Sequence, residues 1–455
     1  MHLHILGICG TFMGGLAQIA QASGHRVSGC DANVYPPMSD QLKAAGVELV
    51  EGFGAEQLAL TPDLWVIGNV VTRGNPLMEA IVEQGAAFQS GPQWLAEQVL
   101  RGRHVLAVSG THGKTTTTAM LVAILADAGR EPGFLIGGVP QDLGVSARLG
   151  NRERGAPFVI EADEYDTAYF DKRSKFLHYL ARTAIINNLE FDHADIFPDL
   201  AAIETQFHHW IRTLPRSARL LANADEAAIE RVLRRGCWSE VERFGSVGDW
   251  TISKSEPWLV GHRGENVGAL ELDLPGAHNR MNALAAIAAA YHVGVEPVEA
   301  LKALSRFRGV KRRLELRGVV NGVSVIDDFA HHPTAIAATL AALRSRTPQA
   351  RLLAILEPRS NTMKLGAVAA QLAPSLAAAD RVFCYAGAGI NWNVAGALAS
   401  LGEIASVHND IDAMVEAIVA TARSGDQCVV MSNGGFGGVH TRLLAGLERS
   451  RVAAS

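Results

Sequence analysis

The segment Gly110-Thr111-His112-Gly113-Lys114-Thr115-Thr116 follows an apolar run, HVLAVS, and opens a helical stretch. A loop in that position presents backbone N–H groups, and the helix N-terminus adds partial positive charge. Lys114 can neutralise β- and γ-phosphate oxygens, and Thr115 can offer its hydroxyl to Mg²⁺. The general phosphate-loop pattern has a Gly five places before Gly113, where this chain has Val108, so the loop is a shortened variant. An ordinary strand-to-helix turn is the competing reading. Next, the run FVIEAD ends in Glu161, Asp163, Glu164 and Asp166. Carboxylates at the carboxyl edge of a parallel sheet stand where open α/β folds bind ligands, and a Mg²⁺–triphosphate needs one or two of them. Glu161, the first polar residue off the strand, is the predicted metal ligand. A solvated acidic loop is the alternative. The run TAII leads into Asn187-Asn188-Leu189-Glu190-Phe191-Asp192-His193, where His193 with Asp192 could complete a metal site.

At the amino end, Gly7-Ile8-Cys9-Gly10-Thr11-Phe12-Met13-Gly14-Gly15 is close to a dinucleotide fingerprint, with Cys9 in place of the second Gly. Asp31 ends the second apolar run, about 20 residues on, where a ribose or sugar hydroxyl is bound in such units. A pyrophosphate-containing ligand is expected here, and a tight turn with packing glycines is the rival. Toward the carboxyl end, Asp327-Asp328-Phe329-Ala330-His331-His332-Pro333 and Glu357-Pro358-Arg359-Ser360-Asn361-Thr362-Met363-Lys364 each leave an apolar run, and Lys311-Arg312-Arg313 precedes them. Arg and Lys on such loops suit anionic substrates.

These motifs need strands to end where they do. Short Val/Ile/Leu runs alternate with Ala-rich stretches throughout, which predicts repeated βα units around parallel sheets. LHILGICG, TFMGGLAQIAQASGH and RVSGCD form the first such unit, LWVIGNV adds a strand, and Pro92 to Arg103 reads as a helix leading out. HVLAVS begins a second unit, with strands at FVIEAD and TAIINNL, antiparallel strands between Trp250 and Leu274, and a helix from Met281 to Tyr291. VSVIDD begins a third, followed by RLLAILEP, RVFCYAG, IASVH and CVVMSNGG. The predicted domains are 1–102, 103–312 and 313–455, and the starts share no repeat period.

With 455 residues, 48% apolar and 19% charged, the chain is globular. A net charge of −5 leaves no basic footprint for nucleic acid. No run approaches the ~18 apolar residues of a membrane helix, and the start has no basic region followed by a long apolar stretch. The five scattered cysteines form no CxxC pair, so a reducing cytoplasm fits and a zinc site is not indicated.

GTHGKTT, EADE, NLEFDH, the H-N-x-x-N of His278, Asn279 and Asn282, the R-R-L-E from Arg312 to Glu315, and DDFAHHP resemble the Mur ligase family in order and spacing, over essentially the whole chain. The resemblance implies an α/β fold of three domains: an N-terminal Rossmann-like domain for a UDP-sugar, a central phosphate-loop ATPase-like domain with a mostly parallel sheet, and a C-terminal Rossmann-like domain that binds the peptide and closes on ATP. It implies that Gly110 to Thr116 bind ATP with His278, Asn279, Arg313 and Asp328. Asn279 would contact adenine, Arg313 a phosphate and Asp328 the ribose or nearby. Thr115 and Glu161 would hold Mg²⁺, and His193 would lie at a second metal position. Some branches of the family carry a carbamylated lysine at that second metal, but no lysine stands between Lys175 and Lys254 here. The UDP-sugar would lie against Gly10, Thr11, Phe12, Met13, Asp31 and Asn69.

Within the family, GICGTFMGG and DDxxHHP resemble the branch acting on UDP-N-acetylmuramate. LEPRSNTMK, NVVTRGNP (Asn69 to Pro76) and SNGGFGGVH (Ser432 to His440) resemble members that join it to the recycled tripeptide L-Ala-γ-D-Glu-meso-diaminopimelate. Arg359 and Asn361 would then bind the peptide. The implied reaction activates the lactyl carboxylate with ATP as an acyl phosphate, which the peptide amine attacks. Lys114 and Arg313 would neutralise phosphate charge, and His193 and His331 are the candidate bases by chemistry. The remaining readings are a sister ligase adding free L-alanine, a nicotinamide-dependent dehydrogenase built on the N-terminal unit, and a non-catalytic nucleotide-gated binding module.

Overall fold

A computed structural model describes residues 1–34 and 38–453. Parallel strands buried on both faces read as unbroken apolar runs, and those runs become the sheet centres. The first sheet is five-stranded, in the order Glu48–Glu51, Arg26–Asp31, His2–Leu6, Leu64–Ile67, Phe88–Ser90, with every pairing parallel. Strand order reverses on either side of His2–Leu6, so the turn leaving this strand opens at a switch point where such sheets bind ligands. Gly7 makes that turn at φ 77°. The helix Thr11–Ala22 follows and buries Leu16, Ile19 and Ala20. The expected helix from Pro92 to Arg103 is shorter. It runs Gly91–Leu95 under a Ser90 hydroxyl cap, continues as one wider turn over Ala96–Leu100, and stops before Gly102, whose φ of 84° suits glycine.

The second sheet has ten strands. Its parallel centre runs Gly133–Leu135, Pro157–Glu161, His104–Ser109, Thr183–Ile186, Arg219–Asn223, Glu240–Gly245 and Trp250–Ile252. Leu259–His262 and Glu265–Ala269 add antiparallel strands at one edge, as the alternation after Trp250 predicts, and Ala147–Arg148 closes the other. Register decides what meets at the carboxyl edge. Val108 pairs with Glu161 and Ser109 with Ile186, so the loop from Gly110 emerges between the acidic segment and Asn187. The helix Lys114–Asp127 then buries most of its length. The helix predicted from Met281 spans Ala277–His292.

The third sheet is six-stranded, in the order Glu315–Val320, Val323–Asp328, Gln427–Met431, Leu352–Leu356, Arg381–Tyr385, Ala405–His408. Glu315–Val320 is an antiparallel edge, and the other pairings are parallel. Asp328 and Leu356 both pair with Met431, so the loops after these strands leave from one edge. One apolar layer, including Ile336, Leu340, Leu352 and Met363, covers one face, and Met414, Ile418, Phe436 and Leu443 belong to the other.

The chain forms two compact units. The first holds the five- and ten-stranded sheets, in Met1–Glu190, Leu200–Leu272 and Met281–Arg308. The second holds the six-stranded sheet, in the chain from Gly309 onward together with Phe191–Asp199 and Asp273–Arg280.

Candidate active site

In the first unit the loop Gly110–Gly113 begins and ends on a glycine with positive φ. Gly110 has φ 138°, and a Cβ there would stand 3.1 Å from the Asn188 backbone. Gly113 has φ 79°, and its Cβ would run into Asn282 Oδ1. A side chain is therefore excluded at the two glycines that bound the loop where phosphate oxygens would approach. The loop is tied to the segment after Thr183–Ile186: Thr111 N donates to Asn188 O (3.0 Å), His112 N to Asn188 Oδ1 (2.7 Å) and Glu190 N to the Thr111 hydroxyl (2.9 Å). His112 Nε2 lies 3.0 Å from Glu190. Asn187 donates to the Thr117 hydroxyl and accepts from Asn223 through its carbonyl, which steadies the first helical turn.

Lys114 lies folded over this loop. Its ammonium donates to Gly110 O (2.7 Å) and Glu164 (3.1 Å) and stands 3.8 Å from Asp163. Burial disfavours its charge, but Glu164, Asp163 and Glu161 outweigh burial and raise its pKa. Thr115 Oγ1 donates to Glu161 Oε1 (3.0 Å), and the other Glu161 oxygen accepts from Gly137 N (2.7 Å). Burial, then Asp163, pushes the Glu161 pKa up against the pull of Lys114. A hydroxyl and a carboxylate paired beside an anion cradle are a donor set that fits a divalent cation. Thr116 is buried on the same helical turn.

The N-terminal turn is also in the first unit. Asp31 Oδ2 accepts from Cys9 N (2.9 Å), so this carboxylate pins the Gly-rich turn from within. Gly10, Thr11 and Asn69 are exposed at the carboxyl edge of the sheet. Met13 is different: its side chain is buried, and Cβ atoms at Gly68 and Gly91 would crowd it, so only its backbone faces the turn. Phe12 reaches a residue the sequence reading passed over. Lys175 Nζ stands 5.1 Å from the Phe12 ring centroid, 4.6 Å from that of Tyr165 and 3.7 Å from Asp163 Oδ2. The charged run Asp171–Lys175 reads as a solvated surface. Its one local signal is that Lys175 stands directly before the apolar Phe176.

The second unit holds the other predicted residues. His193 does not share a unit with Thr115 and Glu161; it lies in the Phe191–Asp199 segment. There it adopts φ 55°, uncommon for a non-glycine, and its N–H donates to Asp192 Oδ1 (2.7 Å). The buried Thr362 hydroxyl donates to Asp192 (2.6 Å) and accepts from Ala194 N (3.2 Å), bracketing His193. Burial would raise the Asp192 pKa, but His193, the Thr362 hydroxyl and His331 together bring it to about 2. His193, His331, Arg359, Ser360, Asn361, Lys364 and Asn433 help line one cavity of about 390 Å³. Both candidate bases and the expected peptide-binding arginine thus meet. The Asn361 amide, expected at the peptide, lines this cavity and donates to Asp195 (2.7 Å).

Arg313 sits between Arg312 and Leu314, which have φ of 61° and 51°. Its guanidinium lies 5.0 Å from the Phe329 ring centroid. Asp328, expected near the ribose, is buried and accepts from Leu314 N (2.8 Å), Ala330 N (2.8 Å) and the Thr339 hydroxyl (3.1 Å). Those bonds make it the anchor of the Arg313 turn. Burial is the largest influence on its pKa and raises it. Asn279, in the first turn of its helix, donates to Pro275 O (2.8 Å), and His278 stands beside Gly276.

The chain matches the Mur ligase family, catalytic domain, over residues 2–103, the Mur ligase middle domain over 108–290, and the Mur ligase, glutamate ligase domain, over 312–434. It is 54% identical over 459 residues to the UDP-N-acetylmuramate–L-alanyl-gamma-D-glutamyl-meso-2,6-diaminoheptandioate ligase of Escherichia coli strain K12, covering 100% of both chains. The enzyme of the same name from Haemophilus influenzae is 50% identical, with 98% of this chain and 99% of that one covered. The crystal structure of a murein peptide ligase from Psychrobacter arcticus 273-4 superposes with a TM-score of 0.78 at 46% identity, covering 98% of this chain and 99% of that one.

Proposed function

The chain belongs to the Mur ligase family, and on that premise we propose that it is an ATP-dependent ligase joining UDP-N-acetylmuramate to the recycled tripeptide L-Ala-γ-D-Glu-meso-diaminopimelate, a cytoplasmic step of peptidoglycan recycling. The observation that carries this reading is the end-to-end likeness to the E. coli enzyme that bears that substrate in its name. In this reading residues 1–102 bind the UDP-sugar, 103–312 bind ATP, and 313–455 bind the peptide.

The chemistry divides among the chain's own groups. The backbone of Gly110–Gly113 receives the ATP phosphates, and Lys114 leaves Gly110 O to neutralise the oxygens that gain charge. Arg313 is assigned to phosphate charge as well, and Asn279 to adenine. Thr115 and Glu161 hold Mg²⁺, which supplies charge neutralisation at the phosphates when bound. The lactyl carboxylate attacks the γ-phosphorus, ADP leaves, and an acyl phosphate results. The peptide amine, having lost its proton, then adds to the acyl carbon. Collapse of the tetrahedral adduct releases phosphate and leaves the amide. His193 and His331 are the candidates for taking the ammonium proton, and Arg359 beside them offers a bidentate partner for a peptide carboxylate.

The test is ADP release with UDP-N-acetylmuramate and ATP–Mg²⁺, adding either the tripeptide or free L-alanine. Release only with the tripeptide is expected. Release with L-alanine moves the chain to the alanine-adding reaction, and release with neither removes the substrate assignment.

A further inference from the structure

Among the buried cations of the first unit, Lys175 has no task in the mechanism above. Its side chain is 6% exposed, yet the nearest carboxylate oxygen, Asp163 Oδ2, lies at 3.7 Å, beyond hydrogen-bond reach. Two aromatic faces, Phe12 and Tyr165, flank the ammonium. They attract a cation, but a ring face does not replace an oxygen acceptor for its N–H donors. A buried ammonium kept short of acceptors is costly unless something else supplies them. Its neighbours indicate what that is. Asp163 stands between Lys175 and Lys114, 3.7 and 3.8 Å from the two ammoniums, and Lys114 belongs to the phosphate cradle. Phe12 belongs to the N-terminal turn. Lys175 therefore lies between the expected sugar-nucleotide turn and the loop that would hold the phosphoryl group.

We propose that Lys175 binds the carboxylate of the acid substrate and holds it beside Lys114 for phosphorylation. The inference rests on the proposed ligase reading and deepens it. An anionic oxygen beside Lys175 supplies the acceptor that neither ring replaces. Asp163 screens the two ammoniums from each other while that oxygen is absent. The aromatic cage keeps the ammonium on one side of the site, so the carboxylate is aimed and not merely attracted.

The experiment compares two UDP-sugars that differ at the group in question. UDP-N-acetylmuramate carries the lactyl carboxylate, and UDP-N-acetylglucosamine lacks it. Dissociation constants are measured by calorimetry for the full chain without ATP, in the wild type and in Lys175→Met. The expected result is a loss of roughly 10- to 100-fold for UDP-N-acetylmuramate with UDP-N-acetylglucosamine unchanged. Equal weakening of both overturns the proposal, because damage to the turn then explains the loss. Unchanged binding of both also overturns it. If the Met variant does not fold, Lys175→Gln carries the same comparison. A wild type with no preference for UDP-N-acetylmuramate removes the acid substrate itself, and with it both readings, so the two failures are distinguishable.

Discussion

Replacing Lys114 by Met removes the cation around which Glu161, Asp163 and Glu164 are arranged. In the native chain its ammonium stands 3.1 Å from Glu164 and 3.8 Å from Asp163, with the Lys114 and Glu164 side chains 11% and 2% exposed. At an effective dielectric of about 20, each contact has a Coulomb energy of roughly 4–5 kcal/mol. Desolvation offsets much of that, so the expected loss is the ~3–5 kcal/mol typical of a buried pair broken on one side. For a unit of this size that lowers the melting temperature by roughly 5–8 °C near pH 7.5. The deficit depends on pH with a definite sign. Burial is already the largest influence raising the Glu161 pKa, and Lys114 opposes it. Without Lys114 the Glu161 carboxyl, already raised by burial, rises further above its unfolded value of about 4.3. A carboxyl whose folded pKa is raised binds its proton more tightly in the fold, so lowering the pH stabilises the variant relative to wild type. Melting curves at pH 7.5 and 5.0 should show the gap narrowing. ADP release should fall at least 100-fold at both, because charge on the phosphates is no longer met. A gap that is equal at both pH values refutes the charge-compensation argument. Turnover within tenfold of wild type refutes the role of the loop.

Arg359→Ala should raise the peptide KM by roughly 10- to 100-fold and leave the ATP KM nearly unchanged; equal effects on both remove Arg359 from the peptide site. His4 is fully buried between Ser28 and Gln57, and burial lowers its pKa to about 4. The unfolded chain therefore takes up this proton first, and stability should fall by roughly 1 kcal/mol per pH unit from about pH 6.5 toward 4. Urea titrations across that range should show the slope, and His4→Gln should reduce it; an unchanged slope in the variant excludes His4 as its source.

The sheets were legible because a parallel strand covered on both faces must be apolar along its length. HVLAVS, TAII and RLLAIL announce themselves without any partner in view. The phosphate loop was legible for a related reason. Strand, glycine-bounded loop and helix N-terminus are contiguous, so Gly110 to Thr116 carry their own context. The helix from Pro92 was read too long because its end is set by the backbone conformation at Gly102, not by loss of apolar character. The strand Glu315–Val320 was not singled out, since an edge strand with exposed Leu316 and Val319 lacks a buried pattern.

Side-chain duties at the site were harder to read, and the reason is distance along the chain. Asp328 was assigned to the nucleotide from the family resemblance, and its carboxylate accepts from Leu314, Ala330 and Thr339. Those partners are set by how a strand and a helix pack, which no motif records. Thr362 meets Asp192 from 170 residues away, and that meeting makes the His193 turn part of the second unit. Lys175 is the sharpest case. Nothing near it in sequence separates it from the exposed Lys172 and Arg173. What separates it is that Pro157–Glu161 pairs with His104–Ser109 in a register that brings Asp163 near Lys114. A one-residue slip would reverse the faces on which these side chains emerge. A contiguous motif can therefore nominate the loop that holds a phosphate, while the residues that aim a second substrate at it depend on register and emerge only once strands are paired residue by residue.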